Sequence, residues 1–234
     1  MKVVGFGDSV THGALVESNQ KFLAVLAERF PAYQFVNKGV PGNTTAQARH
    51  RFEKDVLAEQ PDVVIMYFGL NDTVCKAVNE PLVERTAYRQ HLQEMTQMLQ
   101  DQGSKVILCT IHPVIEGDAD QYYYARHPQE YYANPNGINA WLAYYSEAVC
   151  ELAEEMNVAL ADLQASFYSY LDDEGALSDL LVSLEDAGVD DGVHPNANGH
   201  TRIAEVLTPF LALDDEEDED NDEDDNDNED EETD

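Results

Sequence analysis

Basic residues are scarce in this chain of 234 residues: 13 Lys and Arg stand against 47 Asp and Glu, a formal charge of −34 at pH 7. That scarcity argues against electrostatic binding to nucleic acid, because phosphate contacts need clustered Lys and Arg. Cysteine is equally sparse. Cys75, Cys109 and Cys150 are odd in number and widely spaced, and two of them lie inside apolar runs. This pattern speaks against a disulfide framework or a zinc site, and for reduced, buried thiols in a cytosolic protein. No stretch approaches the ~18 apolar residues of a membrane span, so stable insertion into a bilayer is not expected. The opening Met1-Lys2-Val3-Val4-Gly5-Phe6 is too short for a signal-peptide core and leads to no small-residue cleavage site, which makes a cytoplasmic location the expectation.

Acid is abundant, and it is unevenly placed. In residues 214–234, 17 of 21 are Asp or Glu. With no apolar side chain to offset chain entropy, this tail is expected to be disordered. It also lacks the glycine of a calcium loop, so specific calcium binding is not expected. Residues 1–213 retain 30 acids against the same 13 bases, a net −17, and are of a size for one domain.

Four apolar runs, at 2–6, 63–68, 106–111 and 158–161, are continuous rather than alternating, the pattern of strands buried on both faces of a parallel sheet. A weaker fifth lies at 33–36. Between them the periodicity is helical. Phe22, Leu23, Leu26 and Phe30 form one stripe, and Tyr88, Leu92, Met95 and Leu99 another within a helix read over 80–102. Asn134-Pro135 is read as opening a third helix whose stripe runs from Ile138 to Met156, and a last helix covers about 197–211. Strands alternating with helices predict a three-layer α/β/α sandwich around a central parallel sheet.

In such a sheet, function collects outside the carboxyl ends of the strands. Gly7-Asp8-Ser9, Gly39-Val40-Pro41-Gly42-Asn43, Gly69-Leu70-Asn71-Asp72 and His112-Pro113 follow four of the runs, and Asp190-Asp191-Gly192-Val193-His194-Pro195 precedes the last helix. These turns can supply every part that acyl transfer needs. Ser9 is the candidate nucleophile, His194 the base, and Asp191 the group that orients the ring, with the adjoining Asp190 as its alternative. The backbone N–H groups of Ser9 and Gly42 and the side-chain amide of Asn71 are candidate oxyanion donors. Each signal alone has a plainer reading, as a helix cap or an ordinary turn; their joint order is what carries weight.

The chain resembles the GDSL family of the SGNH hydrolases. The resemblance rests on four blocks: Gly7-Asp8-Ser9-Val10-Thr11-His12-Gly13, Asn37-Lys38-Gly39-Val40-Pro41-Gly42-Asn43-Thr44, Gly69-Leu70-Asn71-Asp72 and Asp191-Gly192-Val193-His194-Pro195-Asn196. It implies a flavodoxin-like fold and ester hydrolysis with no metal or other cofactor. It assigns Ser9, Asp191 and His194 to a triad, and Ser9, Gly42 and Asn71 to an oxyanion hole. The implied partner is a small-molecule ester, with short acyl or acetyl groups favoured over lysophospholipids and thioesters because no long apolar lid is evident.

Asp8 and Asp72 are expected to brace their loops, His12 and His112 to sit at the pocket edge, and Cys75 to be inert. Residues 113–134 form a long tyrosine-rich segment. Tyr122, Tyr123 and Tyr124, with His112, are candidate substrate contacts if it acts as a lid; the alternative is a surface loop pinned by its own aromatics. Two other functions compete. One is a non-catalytic carbohydrate- or ligand-binding module on the same fold. The other is a metal-dependent phosphoesterase on Asp8, Asn71 and His194, which would need more ligands than the motifs provide. Oligomeric state is not legible in the sequence.

Overall fold

The continuous apolar runs pair side by side because each can bury both of its faces only between helical layers. The computed structural model describes residues 1–173 and 175–212; the acidic segment 214–234, expected to be disordered, lies outside the described residues. The strands are β1 (Lys2–Gly7), β2 (Gln34–Gly39), β3 (Val63–Tyr67), β4 (Cys75–Ala77), β5 (Glu80–Pro81), β6 (Lys105–Cys109) and β7 (Ala159–Ala161). Five of them form one parallel sheet in the order β2-β1-β3-β6-β7. The helices are α1 (Ser9–His12), α2 (Phe22–Arg29), α3 (Thr45–Asp55), α4 (Arg85–Asp101), α5 (Tyr122–Arg126), α6 (Ile138–Met156), α7 (Leu163–Asp172), α8 (Leu177–Leu180) and α9 (Ala197–Ala212).

The strand order reverses direction at β1, so right-handed crossovers put α2 on one face and α3, α4 and α6 on the other. The packing follows: α9 covers α2, while α3 meets α4 and α4 meets α6. At the reversal the carboxyl ends of β1 and β3 diverge from their connections and leave a crevice. Beneath it Phe6 stacks edge-on against Phe68, with ring centroids 5.1 Å apart, and Phe52 lies 5.6 Å from Phe6. All three rings are buried, each contributing ~2–3 kcal/mol by leaving water.

Three elements differ from the sequence expectation. The helix read from residue 80 starts at Arg85, because Cys75 and Ala77 pair antiparallel with Pro81 and Glu80 as a separate hairpin. Its stripe Tyr88, Leu92, Met95 and Leu99 is buried as expected. Asn134-Pro135 does not open α6, which begins at Ile138 after Gly137. The weak run at 33–36 is an edge strand and extends further, to Gly39. Its end is set by the ladder with β1, through Lys38 opposite Phe6 and Gly39 opposite Gly7, and not by hydrophobicity. Among the described residues no helix is long and apolar enough to cross a membrane.

Candidate active site

Three distant turns meet at the crevice. Ser9 is the first residue of α1, directly after β1; the Asp8 carboxylate caps that helix by accepting from Val10 N–H at 2.9 Å. His194 lies on the turn before α9. Its Nε2 is 2.9 Å from Ser9 Oγ, across 185 residues of sequence. On the other side of the ring, Nδ1 is 2.9 Å from Asp191 Oδ2 and 3.1 Å from Oδ1. A carboxylate only accepts, so Nδ1 carries the proton and Nε2 is free to accept from the Ser9 hydroxyl. Asp191 Oδ1 also accepts from the N–H groups of Val193 at 2.9 Å and His194 at 2.6 Å. Burial opposes ionisation of Asp191, but these hydrogen bonds and the neighbouring imidazole together hold its pKa below the usual carboxylate value. Asp190, the alternative orienter, instead accepts from Tyr122 N–H at 2.6 Å.

Asn71, after β3, joins the crevice through its side-chain amide, which donates to Asp8 Oδ2 at 3.0 Å and to Asn43 O at 3.2 Å. Asn43 closes the turn that contains Gly42, with its N–H 3.1 Å from Val40 O. Arg51 on α3 fastens the ends of the two strands, donating to Gly7 O, Lys38 O and Asn43 Oδ1 at 3.0, 2.9 and 2.7 Å. Asp72 braces a different element from its own loop: it accepts from Thr45 N–H at 2.9 Å and Thr45 Oγ1 at 2.5 Å, at the start of α3.

Asp8 is buried beside these groups. Burial pushes its pKa up to about 7, with the charge of Asp72 adding to the rise; hydrogen bonds from Val10 and Asn71 and the proximity of His194 oppose it. A carboxyl group whose pKa is raised on folding favours the folded state at low pH, and that contribution disappears as pH rises through 7. Between pH 5 and 9 the loss amounts to about 3 kcal/mol. Asp8→Asn carries no titrating group, so its stability relative to wild type should improve by about that amount from pH 5 to pH 9. Denaturant unfolding of both proteins at the two pH values measures this; a difference that does not change with pH would mean Asp8 ionises normally.

The cleft above Ser9 has a volume of about 180 Å³ and is walled by Leu70, Val74, Tyr123, Leu142 and Val193, with Asn71, Arg126, His127, Asp191 and His194 supplying polar edges. Of the tyrosine candidates only Tyr123 lines it. Tyr124 is buried against the start of α6, its hydroxyl accepting from Ile138 N–H at 3.0 Å. Tyr122 packs on the 190–192 turn, and Gly42 is outside the lining. His112, expected at the pocket edge, lies beneath it. It is fully buried, its Nε2–H donating to Val193 O at 2.9 Å and its Nδ1 accepting from the Tyr67 hydroxyl. Burial pushes its pKa down to about 4, so it is a neutral strut. His12 is exposed. Cys75 is buried and its thiol is pushed up to about 11 by burial, which makes it unreactive.

The sequence reading missed Arg51, Arg126 and His127. The available signal was their scarcity: few basic residues occur in so acidic a body, and two adjacent ones fall in the tyrosine segment. Among the described residues no group of three His, Cys, Asp or Glu side chains is arranged to hold a metal ion.

Comparison with known proteins places this geometry among relatives. Residues 6–202 match the model of the GDSL-like Lipase/Acylhydrolase family. An uncharacterized lipoprotein of Bacillus subtilis, YqeF, is 31% identical over 169 residues, covering 68% of this chain and 69% of that protein. An acetylxylan esterase of Geobacillus stearothermophilus is 26% identical over 225 residues, covering 88% and 91%. The crystal structure of an acetyl xylan esterase, AlAXEase, superposes with a TM-score of 0.69 at 25% identity, covering 90% of this chain and all of that one.

Proposed function

Since this chain belongs to the GDSL-like Lipase/Acylhydrolase family and is a carboxylic ester hydrolase, we propose that it acts through an acyl-enzyme on Ser9 and removes short acyl groups, acetyl above all, from carbohydrate alcohols. The observation that carries this reading is the hydrogen-bonded chain from Ser9 Oγ through both ring nitrogens of His194 to Asp191. Family membership displaces the non-catalytic binding module.

Ser9 Oγ attacks the ester carbonyl carbon as its proton passes to His194 Nε2. Asp191, kept ionised by its hydrogen bonds, stabilises the imidazolium that results. The carbonyl oxygen becomes an oxyanion and takes hydrogen bonds from the Ser9 N–H group and from Asn71 Nδ2, both on the cleft, whereas Gly42, outside its lining, takes no part in this step. Asn71 does this by sharing one of its contacts to Asp8 and Asn43, the longer of which is 3.2 Å. A single such donor contributes ~3 kcal/mol in the transition state. The carbon–oxygen bond to the alcohol then breaks, and the leaving oxygen takes the proton from His194 Nε2. Water repeats the sequence on the acyl-enzyme, releasing the carboxylate and restoring the Ser9 hydroxyl.

The acyl preference follows from the cleft. Its volume of about 180 Å³, closed by Leu70, Val74, Leu142 and Tyr123, suits an acetyl group and crowds a long chain. The acetylxylan esterases among the relatives support the carbohydrate alcohol. A cytoplasmic location belongs to the same proposal and rests on the three free thiols. Initial rates on 4-nitrophenyl acetate, butyrate, octanoate and dodecanoate are expected to fall at least ~10-fold from acetyl to octanoyl, since each methylene that cannot be seated forfeits ~0.8 kcal/mol of burial and adds a clash. Acetate release from acetylated xylooligosaccharides checks the alcohol part. A preference for octanoate or longer would overturn the short-acyl assignment.

A further inference from the structure

The turn that carries Asp191 and His194 is held by its carbonyls, and most of the donors come from the tyrosine-rich segment. Arg126 Nη1 donates to Asp190 O at 2.8 Å and Arg126 Nη2 to Asp191 O. Ile115 N–H donates to Gly192 O at 2.8 Å, His112 Nε2–H to Val193 O at 2.9 Å, and Val182 N–H to His194 O at 2.9 Å. Five consecutive carbonyls, 190 to 194, are thus each paired.

The segment is shaped around the same turn. Tyr122 adopts φ 57°, a left-handed conformation that is strained for a bulky side chain, and local strain of this kind persists only where the surroundings enforce it. Its N–H reaches Asp190 Oδ1 at 2.6 Å and its hydroxyl accepts from Leu184 N–H at 3.3 Å. Its ring lies so close to Gly192 that a Cβ there would sit 2.7 Å from Tyr122 Cδ1.

Arg126 is the part of this brace that reaches Asp191. Its side chain is 40% exposed, so burial does not dictate its position. Acidic side chains abound, yet among the described residues the one ion pair of Arg126 is with Asp190 at 3.8 Å, while both Nη atoms point at main-chain oxygens. A guanidinium spans two adjacent carbonyls with a fixed fork that a flexible ammonium cannot reproduce. We infer that Arg126 is a positioning residue for hydrolysis: by clamping the carbonyls of Asp190 and Asp191 it fixes the turn so that the Asp191 carboxylate meets His194 Nδ1.

The inference rests on the Ser9–His194–Asp191 reading, and it also recasts residues 112–126 as a rigid brace in place of a lid. Displacing a catalytic group by about 1 Å lowers rates by up to ~10²-fold. Arg126→Ala and Arg126→Lys should therefore each lower kcat on 4-nitrophenyl acetate ~10- to 100-fold while KM changes less than ~2-fold. Millimolar guanidinium should restore part of the lost kcat in Arg126→Ala and leave wild type unaffected. Circular dichroism and melting curves of both variants establish that they fold. Because Arg126 also borders the cleft, a rise in KM at unchanged kcat would assign it to substrate contact and overturn the inference. Unchanged kcat, or a loss that guanidinium does not touch in a folded Arg126→Ala protein, would overturn it too. Ser9→Ala run in parallel separates the two levels: if it keeps wild-type activity the triad reading itself fails, whereas an inactive Ser9→Ala beside fully active Arg126 variants removes the clamp alone.

Discussion

Ser9→Ala is expected to lower kcat/KM for acetyl esters ~10⁴- to 10⁶-fold, because nucleophile and base act as one unit and removing either forfeits the covalent route. The residual rate reflects only binding and the oxyanion donors. The fold should not suffer. Ser9 Oγ bonds to His194 Nε2 at 2.9 Å, and the helix start is capped by Asp8, so alanine removes one partly exposed contact. A melting temperature within a few degrees of wild type is therefore part of the expected result. A sulfonyl fluoride should label Ser9 in wild type and leave Ser9→Ala unmodified, which intact-mass measurement reads directly. His194→Ala should fall in the same range, and the double variant should be little worse than either single one. Activity within 10-fold of wild type in Ser9→Ala would exclude Ser9 as the nucleophile.

The second large effect is structural and lies at Gly39. At the end of β2 this residue faces the backbone of α1: a Cβ would sit 2.1 Å from His12 N, 2.6 Å from Thr11 C and 2.7 Å from His12 Cα. These are main-chain atoms and cannot rotate aside. The same contact is fastened by Asn37 Nδ2, which donates to Thr11 O at 2.7 Å. Gly39→Ala must push α1 away from β2, at an expected cost of ~3 kcal/mol or more for forced overpacking. For a body of this size that is a fall of about 10 °C in Tm. Since Ser9 is the first residue of α1, the displacement should also lower kcat ~10²-fold at temperatures where the variant is still folded. Thermal melts and steady-state kinetics measure both, and a variant with wild-type Tm and kcat would contradict the close approach.

Much of this was legible before any coordinates. The parallel sheet followed from four continuous apolar runs, because burial on both faces leaves no room for polar alternation. The motif-bearing turns could be assigned to one rim because connections in such sheets are right-handed and function gathers at carboxyl ends. Ser9, Asn71, Asp191 and His194 do meet in one cleft. Other features were not legible. The apolar stripe Tyr88, Leu92, Met95 and Leu99 does not fix where its helix starts, and only the pairing of Cys75 with Pro81 shows that Glu80 and Pro81 are a strand. His112 looked like a rim residue because it follows a strand, yet its ring turns under the cleft to reach Val193 O. Of three consecutive tyrosines, one lines the cleft, one is packed into the core and one braces the acid turn; nothing in Tyr-Tyr-Tyr distinguishes them.

The sequence by itself determined the five strands of the parallel sheet, the helices α2, α4, α6 and α9, the family and hence the class of chemistry, since hydrophobic periodicity and short motifs are local properties of the chain. The tertiary structure alone decided which polar side chains face the substrate and which hold the machinery from behind. The reason is that a polar group in a turn is oriented by whatever donor or acceptor it can satisfy, and Arg126 meets Asp190, His112 meets Val193 and Asp8 meets Asn71 each across more than sixty residues of sequence.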